Sequence, residues 1–185
     1  GGHLSVQPSD TGGGKDMILG TKDVSKMLEK ASEVDVKKAV AKGIQLVQAE
    51  ARAGCPVDHG ELRGSIFSMV NTEGRNVTGI CYTNKKYAPY VEFGTGPKGQ
   101  ENHKGISPDV AVPYSQSPWW IHEGSGPNEV DRATAEKCGW FYIDTPDGRF
   151  YQCTGQAAQP FLYPALKNHE EEIEQIMREE IMRQL

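Results

Sequence analysis

Two short runs that pair histidine with a carboxylate are the parts of the sequence best suited to chemistry. Asp58-His59 could act as an acid–base pair beside the flexible Gly60, and His122-Glu123 could supply metal ligands. An enzyme that used both runs would be a small metal-dependent hydrolase built on Asp58, His59, His122 and Glu123. His122-Glu123 is incomplete on its own, because two adjacent ligands are too few and no His-x-x-x-His or Cys partner is nearby.

The first of these runs also fits a purely structural role. Asp58 can accept backbone N–H bonds in an Asx turn, and Gly60 can adopt a positive φ. Pro56 cannot donate the next backbone bond of a preceding helix and so helps to end it. We therefore interpret Pro56, Asp58 and Gly60 as a sharp turn from helix to strand, with the hydrolase as the alternative. His122-Glu123 is then a solvated loop pair.

Two amphipathic helices are expected to position these residues. Apolar side chains recur every three or four positions from Asp35 to Ala53, with lysines on the opposite face. The same period returns from Pro164 to Leu185, where proline suits the first helical position. One face of each helix is therefore expected to lie against a core.

Short strands are expected between the two helices. Alternation of apolar and polar residues over 61–71, followed by 77–82, predicts an antiparallel hairpin. Two aromatic-rich runs, 140–144 and 149–153, flank the turn Thr145-Pro146-Asp147-Gly148 and predict a second hairpin. The fold class is thus α+β, with a small antiparallel sheet of about four strands packed by the two long helices.

Composition and charge limit the function classes. The formal net charge of −5 provides no basic face for gripping nucleic acid. No run approaches the roughly 20 apolar residues that cross a membrane, and the N-terminus lacks a secretory pattern. The cysteines lack the Cys-x-x-Cys spacing of a zinc clasp, which suits a reducing cytoplasm. They are Cys55, Cys81, Cys138 and Cys153.

The chain is expected to form one domain with two polar departures from it. Residues 1–15 are rich in Gly and Ser and indicate a flexible arm or a cloning remnant, which leaves 16–185 as the domain. Residues 97–139 are a long polar excursion in which the Trp pair at 119–120 can be buried. Excursions of this length are uncommon in compact domains unless they are functional or disordered.

Three short stretches share the residues and the order of one protein family. They are AGCPVDHGELRGSI at 53–66 (the first motif), YAPYVEFGTG at 87–96 (the second motif) and AQPFLYPAL at 158–166 (the third motif). They resemble the tail-completion, or head–tail joining, family of tailed bacteriophages, typified by the lambdoid gene-product-ten minor tail proteins. His59 stands where the family signature has Thr, which argues against a catalytic role for it.

The resemblance implies a structural virion protein rather than an enzyme, in a phage or prophage. It implies a homo-oligomeric ring of about six copies at the neck or tail end, which completes the tail and joins it to the head. The expected partners are other copies, the tail tube and the head connector, with DNA passing through without specific binding. The expected location is the virion, after assembly in the host cytoplasm, and no cofactor or membrane is implied.

Arg63 and Glu92 are the charged residues inside otherwise apolar motif stretches. Either one, buried alone, would cost several kcal/mol through lost hydration. We therefore predict a bidentate Arg63–Glu92 ion pair.

Two further groups of side chains have two readings each. The aromatic residues are either core side chains or subunit contacts. They are Tyr87, Tyr90, Phe93, Trp119 and Trp120, and the same two interpretations apply to Trp140. The outer face of the last helix is acidic, and is either an ordinary solvated surface or the lining of a ring lumen that repels passing DNA. Its candidate lumen residues are Glu171, Glu172, Glu174 and Glu179.

Overall fold

The computed structural model describes residues 26, 29–31, 33–57, 60–124, 132–137 and 139–185. The predictions for residues 1–15, for Asp58 and His59 and for Cys138 lie outside these ranges. The chain forms helices and antiparallel sheets, as the α+β prediction requires. In chain order they are α1 (Val36–Gly54), α2 (Glu61–Gly64), β1 (Ile66–Glu73), β2 (Asn76–Thr83), α3 (Ala88–Phe93), α4 (Gly96–Glu101), β3 (Trp119–His122), α5 (Arg132–Lys137), β4 (Phe141–Thr145), β5 (Gly148–Cys153), α6 (Leu162–Lys167) and α7 (Glu170–Gln184).

The long helix α1 is the centre of the fold. Asp35 caps its start, with its side chain accepting a hydrogen bond of 3.0 Å from the Lys37 N–H. Its apolar stripe contacts β1 and β2 on one side and α6 and α7 on the other. The buried members of that stripe are Ala39, Val40, Gly43, Val47 and Ala51. The helix predicted from the periodicity is confirmed, within one residue at each end.

The first predicted strand begins later than its alternating pattern suggested. Residues Glu61–Gly64 form the single helical turn α2, and Gly60 enters it with a φ of 76°. Ser65 then donates its hydroxyl to the Leu62 carbonyl at 2.8 Å, which closes the turn before β1 begins at Ile66. The helical turn points Leu62 into the core, a placement that an extended strand from Glu61 would not require.

The strands form two small antiparallel sheets instead of one. In the hairpin β1–β2, Ile66 lies opposite Thr83 and Glu73 lies opposite Asn76. The second sheet has the order β3-β5-β4, with β5 in the centre. Strand β3 comes from the polar segment 97–139, where four residues were too short a run to show a strand period.

The last helix is interrupted. It begins at Leu162, so that Pro164 is the third helical residue instead of the first, and it breaks between Lys167 and Glu170. Proline is tolerated there because the first-turn N–H groups have no intrahelical partner. The break lets α6 and α7 both lie against α1.

The main core gathers side chains from all three motifs. Phe161 of the third motif and Ile66 of the first are nearly inaccessible to solvent. The whole buried cluster is Val47, Ala51, Cys55, Leu62, Ile66, Ala88, Phe161 and Ala165. A smaller cluster forms under the second sheet, where Tyr151 and Ala135 pack with Ile121 and Trp140.

Candidate assembly site

Glu92 joins the second motif to the third through a buried carboxylate. The side chain is in α3, and the residue is only 4% exposed. One carboxylate oxygen accepts the N–H groups of Phe161 (2.7 Å) and Leu162 (3.0 Å), and the other accepts the Tyr163 N–H (3.0 Å). These N–H groups belong to the cap and first turn of α6, where a helix has no partners of its own and favours negative charge.

This arrangement corrects the prediction that Glu92 pairs with Arg63. Arg63 is exposed, and among the residues described here it forms no ion pair with Glu92. Three backbone donors already offset much of the cost of burying the carboxylate, so a guanidinium is not needed. The side chain of Glu92 therefore positions a helix.

Backbone contacts extend the connection between the two motifs. Thr95 and Gln156 exchange hydrogen bonds, at 2.9 Å from Thr95 N to Gln156 O and 3.1 Å in return. Gln159 N donates to the Val91 carbonyl at 2.8 Å. Gly155 has a φ of 85°, and a Cβ there would lie 1.9 Å from the Thr95 carbonyl oxygen, so only glycine fits this approach.

The aromatic residues of the second motif border an open apolar groove. Tyr87 and Tyr90 are exposed along one side of it, and Trp119 lies on another. The groove has a volume of about 850 Å³, and Val110 and Tyr114 complete its wall. Tyr114 donates its hydroxyl to the Phe93 carbonyl at 2.6 Å, which holds the wall against α3.

The structure thus brings four of the five predicted interface aromatics together. Tyr87, Tyr90, Phe93 and Trp119 all line the groove, and three of them, all but Phe93, are between 37% and 59% exposed. Their exposure does not fit the reading as core side chains. Trp120 lies on the opposite face of β3, with its ring 6.2 Å from that of Phe141.

His122 and Glu123 are engaged in structural contacts. The His122 Nε2 lies 2.8 Å from the Asp147 carbonyl oxygen. Glu123 accepts the Tyr151 hydroxyl at 3.1 Å and lies 3.7 Å from the Arg132 Nε. The part of the chain that the structure describes contains no group of three His, Cys, Asp or Glu residues able to hold a metal.

The described cysteines of the main core and the hairpin are not set up as nucleophiles. Burial raises the pKa of the Cys55 thiol, while the charge of Arg63 acts in the opposite direction. Burial likewise raises the pKa of Cys81, opposed by Arg52. A thiol with a raised pKa stays protonated near neutral pH and serves in packing.

The acidic helix α7 has an exposed face, which the sequence analysis predicted, and a buried face with a glutamate, which it did not. Its four candidate lumen residues, Glu171, Glu172, Glu174 and Glu179, are all exposed. Glu180 instead turns inward against α1 and is buried. It contacts Lys42, and it lies 3.2 Å from the Lys38 Nζ and 2.9 Å from the Arg183 Nη1.

The position of Glu180 could have been found from the sequence. It follows Ile173 and Met177 by seven and three positions, and so shares their face of the helix. The hydrogen bond from Lys42, followed by the contact with Lys38, holds the pKa of Glu180 below its ordinary value, against the effect of burial. This cluster fastens α7 to α1.

Comparison with known proteins supports the resemblance seen in the motifs. A model of the family described as "Bacteriophage HK97-gp10, putative tail-component" matches residues 21–94. The matched segment runs through α1, the hairpin and α3, and includes the first motif and most of the second. Over this segment the chain is therefore similar to a family of phage tail components, in agreement with the resemblance that the motifs predicted. No curated protein and no solved structure matches the chain.

The match supports a structural role in the phage tail. Residues 21–94 carry the similarity to this family of tail components, which suggests other tail proteins of the virion as partners. None of the described helices combines the length and hydropathy needed to cross a membrane.

Substitutions can test whether Glu92 stabilises the fold by accepting backbone hydrogen bonds or by forming an ion pair with Arg63. Glu92→Gln removes the charge and places an N–H₂ group among backbone donors, so we expect a loss of about 3 kcal/mol in the free energy of unfolding. Glu101→Gln, at the exposed end of α4, should change it by less than about 0.5 kcal/mol. Urea denaturation measures both.

A double-mutant cycle with Arg63→Ala completes this test. Because Glu92 is held by backbone groups, the two substitutions should add to within about 0.5 kcal/mol. A coupling energy well above about 1 kcal/mol would instead support an Arg63–Glu92 ion pair and contradict the assignment of Glu92 to the backbone N–H groups.

The Glu180 cluster should make stability depend on pH. Because the folded-state pKa is lowered, its stabilisation is complete at neutral pH and is lost as the pH falls through the folded-state value. Glu180→Gln should therefore lower Tm by several degrees at pH 7, and the difference from the unmodified chain should shrink as the pH falls below the ordinary range of a glutamate. Glu172→Gln, on the exposed face, is the matched control. A constant difference at every pH would contradict the assignment.

Proposed function

We propose that the protein is a structural subunit of a tailed-phage virion that forms a ring at the neck or tail end. The ring completes the tail and joins it to the head. The observation that carries this proposal is the division of the motif residues between the core and the surface. Their buried members build one scaffold, and their exposed aromatics line an open apolar groove, so the motifs shape surfaces for other proteins.

The charge distribution suits a passage for DNA. The exposed glutamates of α7 point away from α1, and their repulsion of phosphate would keep passing DNA from binding if this face lined the lumen. Only part of this charge is neutralised on the helix, where Arg178 lies 2.6 Å from Glu174. The proposed copy number is about six, as in the resembling family.

The proposed partners are the tail tube, the head connector and further copies of the chain. The second motif supplies Tyr87 and Tyr90, and aromatic side chains of this kind anchor interfaces because they bury large areas at low entropic cost. The groove is therefore the proposed docking surface for a partner protein.

We propose no catalytic function. His122 and Glu123 are held by contacts within the second sheet and its neighbouring helix, and no observation in the described residues favours a hydrolase. Asp58 and His59 lie outside the described residues and enter neither this proposal nor its alternative as observations.

Interrupting this reading frame in its phage or prophage tests the proposal. We expect DNA-filled heads and separate tails in electron micrographs. The number of infectious particles should fall by more than about 1,000-fold, because heads and tails that remain separate cannot infect. Supplying the unmodified chain in trans should restore joined particles that contain it.

Two results would contradict this function. Normal joined particles without the chain would show that it is not needed for joining. Supplying the chain with both His122→Gln and Glu123→Gln is the control for chemistry: joining should be restored, whereas a failure with a folded variant would favour the enzyme.

A further inference from the structure

The outer face of the hairpin β1–β2 is an exposed apolar patch. Phe67 lies opposite Tyr82, and Met69 lies opposite Ile80, so the four side chains form two adjacent cross-strand pairs. Each is between 37% and 47% exposed, and the Phe67 and Tyr82 rings are 6.0 Å apart. We call these four residues the hairpin face.

The hairpin face cannot be covered by α1. Alternate residues of a strand point to opposite sides, and the other side of this hairpin already lies on α1. Ser68 donates its hydroxyl to the Gln48 side chain of α1 at 2.7 Å, and Gly79 lies against Val40 and Ile44. The hairpin face therefore points away from the core.

The second sheet has an apolar patch of its own. Trp120 and Phe141 both lie opposite Gln152, one on each side of it, and Ile143 is two residues along β4 from Phe141. The three apolar side chains are between 40% and 62% exposed. Tyr151 and Ile121, which point the other way, form the smaller core cluster. We call Trp120, Phe141 and Ile143 the sheet face.

We infer that these two faces are the halves of one head-to-tail contact, in which the hairpin face of one copy packs on the sheet face of the next. This inference rests on the proposed function, because it names the surfaces by which the ring would close. Two different surfaces on one chain make a heterologous contact, and such contacts generate rings when the rotation closes. A contact of the hairpin face with itself would stop at a dimer.

Area and charge favour a second copy as the occupant. From their exposed fractions, each face offers about 300 Å² of side-chain surface, so the two are matched in size. That is a reasonable apolar core for a specific interface of about 800 Å² per partner. The seven side chains of the two faces carry no charge, as is usual for interface cores, and flat sheet faces pack about 10 Å apart.

Paired variants in solution test the contact. Met69→Lys disables the hairpin face and Phe141→Lys disables the sheet face; both positions are exposed, so the fold should survive, as circular dichroism would show. Sedimentation velocity up to about 1 mM protein measures association. The unmodified chain should form species larger than dimers, and each variant alone should remain monomeric.

The mixture of the two variants gives the sharpest result. Each mixed pair retains one intact hairpin face and one intact sheet face, so an equimolar mixture should form dimers and nothing larger. Met182→Lys, which charges an exposed methionine of α7, is the matched control and should associate like the unmodified chain. If either lysine variant unfolds, Tyr82→Glu and Trp120→Glu repeat the test on the same faces.

Several results would overturn the inference. An unmodified chain that remains monomeric, a mixture that forms no dimers, or a control that fails to associate would each do so. Loss of association in the hairpin variant alone would indicate a symmetric contact between hairpin faces. Association that neither variant affects would indicate that copies contact through other surfaces and that the two faces bind another protein. Association through other surfaces leaves the proposed function standing, whereas joined particles without the chain would end that function whatever the mixture shows.

Discussion

The three hydrogen bonds that Glu92 accepts from the start of α6 are the constraint on which the rest of the structure depends. A carboxylate buried without partners would cost several kcal/mol, so α3 and the third motif are stable only when they are together. Their union places Phe161 in the core beside α1. It also aligns the segment around Gln156 with Thr95, where two backbones meet closely enough to require Gly155.

Holding the interior together in this way leaves the outer surfaces free for assembly. The core uses the buried side of α1, the inner side of the hairpin and the inner side of the second sheet. The aromatic groove and the outer faces of both sheets remain exposed and apolar. Exposed apolar patches of this size often mark surfaces that bind other proteins, which supports assembly as the proposed function.

The sequence predicted the elements whose signals are long and local. Nineteen residues of helical period defined α1, and turn residues at 145–148 located the hairpin β4–β5. It failed where the deciding contact was distant or made by backbone. The partner of Glu92 was sought among side chains, although backbone amides about 70 positions away supply the hydrogen bonds. Strand β3 is stabilised by its pairing with β5, which is distant in sequence, so no local pattern predicts it.

Amide hydrogen exchange at Phe161, Leu162 and Tyr163 tests the central claim most directly. If the Glu92 carboxylate holds these three N–H groups, they should exchange as slowly as the buried amides of α1, and Glu92→Gln should speed all three together. Rapid exchange at these amides in the unmodified chain, with α1 still protected, would show that the carboxylate does not hold α6 in place and would contradict the account.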